Sequence, residues 1–85
     1  MSLGYDYVLN RASCEALNGF SPRARRRLLD FCRGLAERPF TAGDYSETEE
    51  QGWRVEVMLV HDRHLVRWHV DHAVKEIRVF DIEAV

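Results

Sequence analysis

Trp53-Arg54-Val55-Glu56-Val57-Met58-Leu59-Val60 opens the stretch that decides the fold. Arg63-His64-Leu65-Val66-Arg67-Trp68-His69-Val70 and Lys75-Glu76-Ile77-Arg78-Val79-Phe80-Asp81-Ile82 continue it. All three runs are rich in β-branched and aromatic residues, and they are separated only by His61-Asp62 and Asp71-His72-Ala73-Val74. Such short polar breaks predict a meander of antiparallel strands. Upstream, residues 11–38 have helical periodicity interrupted at Gly19 to Pro22, and Tyr5 to Leu9 is a short apolar run. The order is therefore β-α-α-β-β-β in a single domain spanning residues 1–85. An order of this kind predicts an α+β fold, with the helical hairpin packed on one face of a mostly antiparallel sheet. The opposite face is left open, and function is expected there.

Local signals refine the elements. Asn10 is an N-cap candidate for the first helix, since its side chain can accept from orphan backbone N–H groups. Gly19 ends that helix, and Ser21-Pro22 restarts the second, with serine at the cap and proline at the first helical position. Ala24, Leu28, Phe31, Cys32 and Leu35 recur at helical spacing as the buried stripe. Arg26 with Asp30 and Arg33 with Glu37 are i,i+4 pairs on the wet side. Pro39 stops the helix. The acidic segment from Phe40 to Gly52 is expected to hold a short edge strand or extended loop around Tyr45-Ser46. In the meander, alternation predicts Trp53, Val55, Val57 and Leu59 facing the helices, joined by Val66, Trp68 and Val70. The facing of Phe80 and Ile82 breaks the alternation set by Ile77 and Val79, which a bulge or a cover on both faces would explain. Met1-Ser2-Leu3 carries no structural weight.

Composition excludes several classes. The 85 residues have a net charge of −2 and are 46% hydrophobic, which suits a small self-supporting globule. No apolar run reaches the roughly 18 residues of a membrane span. There is no secretory signal pattern. Residues 11–38 hold seven arginines and three acids, while residues 41–51 hold four acids and no base. A simple nucleic-acid coating protein would carry a strong overall basic excess, which this chain lacks. Cys14 and Cys32 fall on different helices at non-matching levels, so they are expected to be two buried free thiols of a cytoplasmic protein.

The candidate site residues follow from the strand pattern. Arg54, Arg67, His69 and Arg78 are expected to point from the open sheet face. Cations placed there could stabilise the phosphorane formed when a ribose 2′-OH attacks its phosphate. His69 could act as acid or base near neutral pH. Arg23, Arg25, Arg26 and Arg27 cluster at the start of the second helix, where they could meet RNA phosphates or an acidic partner. Met58, Val60 and Leu65, on or beside the open face, read as an apolar partner patch. His61-x-x-His64 and His69-x-x-His72 lie three apart on strands, where side chains alternate between faces, so no metal site is expected.

The chain resembles the RelE/ParE superfamily of bacterial type II toxins. The resemblance is carried by Tyr5-Asp6-Tyr7-Val8-Leu9-Asn10-Arg11-Ala12, by Leu28-Leu29 to Leu35-Ala36 with Arg38-Pro39-Phe40, and by Gly52-Trp53-Arg54-Val55-Glu56-Val57. Arg63-His64-Leu65-Val66, Val70-Asp71 and Val74-Lys75-Glu76-Ile77-Arg78-Val79 complete it. It implies a toxin neutralised by a cognate antitoxin, without metal or organic cofactor. The RelE branch implies cleavage of mRNA on the ribosome. The ParE branch implies gyrase inhibition, and a catalytically inert binding relative is a further alternative. Arg54 matches a basic position of RelE-like ribonucleases, and the arginine of the second meander strand falls at Arg63 or His64. The next basic position on the first meander strand is Glu56 here. The sequence does not specify an oligomeric state.

Overall fold

The computed structural model describes residues 4–85; residues 1–3, given no weight above, lie outside the described residues. Strand β1 (Asp6–Leu9) leads into α1 (Arg11–Asn18) and α2 (Pro22–Glu37), followed by β2 (Tyr45–Thr48), β3 (Arg54–Val60), β4 (His64–Asp71) and β5 (Glu76–Ala84). The five strands form one sheet in the order β1-β5-β4-β3-β2. Among the described residues only the β1–β5 pair is parallel, a pairing that needs a crossover connection, and the connection between these two strands contains both helices. The acidic segment supplies β2 as an edge strand on β3.

Both helix starts have the expected chemistry. Asn10 accepts from the Ser13 N–H and the Ser21 side chain accepts from the Ala24 N–H, with Pro22 in the first turn. Gly19 closes α1 with φ −83°, so its role there needs no left-handed conformation. Asp30 pairs with Arg33 at 3.1 Å, one turn on, instead of with Arg26. The His61-Asp62 break is a tight turn with both residues at positive φ, 52° and 58°. The Arg63 N–H closes it onto the Val60 carbonyl at 3.1 Å. Two left-handed residues between antiparallel strands match the right-handed strand twist.

The core lies between the helices and one sheet face. Leu17, Leu28, Cys32 and Leu35 meet Val60, Val66, Trp68, Ile77, Val79 and Ile82. The ring of Phe31 meets Trp68 edge-on at 5.7 Å. A register shift between Arg67 and Trp68 sets Val79 opposite Trp68 but Asp81 opposite Arg67. Phe80 is thus the extra residue, and this bulge lets Ile77, Val79 and Ile82 all face the helices.

The facing expected for β3 is reversed. Glu56 lies opposite Trp68 and Met58 opposite Val66, so the even-numbered residues of β3 face the helix side. Met58 and Val60 therefore belong with the core, not to an open apolar patch. Val55, Val57 and Leu59 occupy the opposite face. Val55 and Val57 are nonetheless buried, because Tyr45 and Arg67 flank Val57 while Glu47 of β2 flanks Val55. Trp53 precedes the strand and is half exposed. Cys14 is exposed and Cys32 buried, so only one of the two free thiols is a core group.

Candidate functional site

The open face can be read directly from the ladder. Arg67 sits opposite Val57 and Asp81, His69 opposite Arg78, and Arg78 beside Val8 of β1. Three of the four expected residues, Arg67, His69 and Arg78, therefore share this face. Arg54 does not: it is two residues from Glu56 on the same strand and projects with it to the helix side. The error follows from the reversed facing of β3.

Each arginine of the expected set is held by carboxylates. Arg54 Nε donates to Glu56 Oε2 at 2.6 Å. Arg67 donates to Glu47 at 3.2 Å, Asp81 at 2.7 Å and Glu83 at 3.4 Å. Its guanidinium is held protonated more firmly than usual, chiefly by the Glu47 hydrogen bond, against the opposing effect of burial and with Asp81 and Glu83 adding to the hold. Arg78 pairs with Glu76 at 3.1 Å and Asp71 at 3.3 Å. The face as a whole carries Asp6, Glu47, Asp71, Glu76, Asp81 and Glu83 against Arg67 and Arg78, a net charge of −4 with His69 neutral. Such a surface repels a polyphosphate.

Glu56 has a structural task. Its Oε1 accepts from the Gly43 N–H at 2.9 Å while Oε2 holds Arg54, so the buried carboxylate fastens the segment between α2 and β2 to the sheet. On the open face, His69 Nδ1 donates to the Arg54 carbonyl at 3.3 Å. Because a carbonyl can only accept, that bond puts a proton on Nδ1. The imidazole is stacked on Trp53, with centroids 5.0 Å apart and planes at 10°.

Beside this stack is a depression of about 610 Å³, floored by Val8, Val55 and Phe80 and overhung by Glu49, Glu50 and Gln51. Trp53, Val8, Phe80 and the two glutamates were not among the expected site residues. The signal for Trp53 was Gly52, whose φ of 85° turns the chain just before β3 and releases the indole from the ladder.

The basic cluster divides. Arg25 turns back and donates to the carbonyls of Leu17 and Phe20 at 3.1 and 3.3 Å, satisfying the end of α1. Arg26 is exposed on α2. Arg23 and Arg27 instead converge with Arg63, His61 and His64 on a second, polar depression of about 350 Å³ beside Ser21. His64 is held there by the ring of Phe20 at 4.6 Å. Arg23, Arg27 and Arg63 make no ion pair among the described residues. Leu65 lies on the open face opposite Leu59 and Glu83, away from this depression.

His72 is engaged elsewhere: it shares a 2.8 Å hydrogen bond with the Tyr5 hydroxyl and stacks on Phe40. Among the described residues, no three His, Cys, Asp or Glu side chains are grouped to hold a metal ion. No helix of the described residues is long and apolar enough to cross a membrane.

No protein-family model and no curated protein matches the chain in sequence. In structure it is similar to a chain of the RelBE2 toxin–antitoxin complex of Mycobacterium tuberculosis, with a TM-score of 0.75. The match covers 95% of this chain and 98% of that one at 12% sequence identity. The chain thus has the RelE-type toxin fold, with two helices on a mostly antiparallel five-stranded sheet.

Proposed function

We propose that this protein is the toxin component of a bacterial type II toxin–antitoxin system, of RelE type and neutralised by a cognate antitoxin. The observation that carries this reading is the near end-to-end agreement with a chain taken from a toxin–antitoxin complex.

Contact with the ribosome or mRNA is proposed at the depression formed by Arg23, Arg27, Arg63, His61 and His64. Its arginines make no ion pair among the described residues, and the N-terminus of α2 adds partial positive charge. The open face is a poorer candidate for RNA cleavage. A guanidinium already neutralised by carboxylates has little to add when charge develops on a phosphorane. The ion pairs of Arg54, Arg67 and Arg78 therefore favour a second reading, a binding protein of this fold without ribonuclease activity.

Induced expression, with and without the product of the adjacent reading frame, tests the proposal. Growth arrest with loss of translation, relieved by the neighbour, is expected for the RelE-type reading. Arrest with a DNA-damage response points to ParE-type gyrase inhibition. No arrest, with the neighbour still bound, leaves the binding protein.

A further inference from the structure

The open sheet face has a feature that the toxin reading does not use. Its cleft has an apolar floor under an acidic rim. Val8, Val55 and Phe80 form the floor, the Trp53 indole stacked on His69 forms one wall, and Glu49 and Glu50 overhang it from the β2–β3 turn. Val8 is 39% exposed and Trp53 is 48% exposed. Arg78 also lines the cleft, but Glu76 and Asp71 occupy its guanidinium. A ligand entering here meets apolar surface first and negative charge around it.

We propose that this face is a docking surface for a basic protein segment. The segment seats one large apolar side chain in the cleft and sets lysine or arginine on either side of it. Charge complementarity selects this occupant. The net −4 of the strand face, with Glu49 and Glu50 added at the rim, disfavours nucleic acid, an anionic membrane and an acidic peptide alike. A wholly apolar partner would leave the rim carboxylates facing it without cations, at a desolvation cost. A flanked anchor satisfies both parts: one large apolar side chain is taken out of water in the cleft, and the flanking cations speed and orient the encounter. The inference does not depend on the toxin reading.

The test uses the full isotope-labelled chain and a short capped peptide of sequence KRWLKR, followed by nuclear magnetic resonance. Saturable shifts are expected at Val8, Val55, His69 and Phe80 and at the Trp53 indole. Replacing tryptophan and leucine of the peptide by alanine should weaken binding about tenfold, the equivalent of losing one buried anchor. The double substitution Glu49→Lys/Glu50→Lys should also weaken it severalfold. The turn itself should persist, since it is held by the backbone bonds Glu49 N–H to Trp53 and Gly52 N–H to Glu49. An unchanged thermal midpoint verifies that. Shifts confined to other surfaces overturn the proposal. So does equal binding of the alanine peptide, or indifference to the charge reversal. Oligouridylate producing the same shifts would show that the cleft takes nucleic acid instead.

Discussion

Arg54 and Glu56 point to the same side of β3 and are joined by a 2.6 Å hydrogen bond from Nε to Oε2. The acid standing where a second cation was expected thus holds the first one, and its other oxygen holds the Gly43 N–H. Glu56→Ala should remove both acceptors and cost about 1–3 kcal/mol, because a part-buried backbone donor loses its partner. Glu56→Gln retains one carbonyl acceptor and should cost less. Urea unfolding of the three proteins checks the order.

Gly43 and Gly34 should respond oppositely to alanine. A Cβ on Gly43 would lie 2.5 Å from the Val57 carbonyl oxygen, whereas a Cβ on Gly34 meets nothing within 4 Å. Gly43→Ala must displace backbone and should destabilise by at least about 1 kcal/mol. Gly34→Ala, inside α2, should stabilise by about 0.5–1 kcal/mol. Thermal midpoints on either side of the parent verify both.

Trp68 is fully buried against Phe31. Trp68→Ala should cost about 3–5 kcal/mol, a large share of the stability of so small a domain. Trp68→Phe keeps most of the volume and should cost less. A loss under about 1 kcal/mol for the alanine variant would place Trp68 outside the core in solution.

The two thiols should separate chemically. Burial pushes the Cys32 thiol up to about 11, while Cys14 is exposed. At pH 8 an alkylating agent should add once, at Cys14, and reach Cys32 only after unfolding, which mass spectrometry reads directly. The linked effect on stability has a definite sign. The folded state keeps the Cys32 proton to about 11, whereas an unfolded thiol loses it near 9.0. As pH rises through that window the unfolded state binds fewer protons, so this group's contribution to stability is lost.

The element order and most of the core were legible because they rest on local pattern. Asn10, Ser21 and Pro22 announced the helices, and the break after Val79 left a bulge as one of two explanations. The facing of β3 was not legible. Its odd-numbered residues are all apolar while the even-numbered ones include Arg54 and Glu56, so alternation alone favoured the wrong face. The choice was made by a contact distant in sequence, Trp68 against Phe31, which brings Glu56 to the helix side through the β3–β4 register. The site inherited that error: Met58 and Val60 went into the core and Arg54 left the open face. Ion pairing was equally hidden, since Arg67 draws its partners from β2 and β5. The convergence of Arg23 and Arg27 with Arg63 likewise depends on how the helices sit above the β3–β4 turn.

The central claim, that this chain acts as an antitoxin-neutralised protein of the RelE-type fold, is tested most directly by measuring its binding to the product of the adjacent reading frame. Calorimetric titration of the two purified proteins is predicted to give a saturable complex of defined stoichiometry, with an affinity in the nanomolar range or tighter, about −12 kcal/mol. The complex should relieve any growth arrest the chain causes alone. Absence of heat and of co-elution with that product, from protein shown to be folded, would contradict the account.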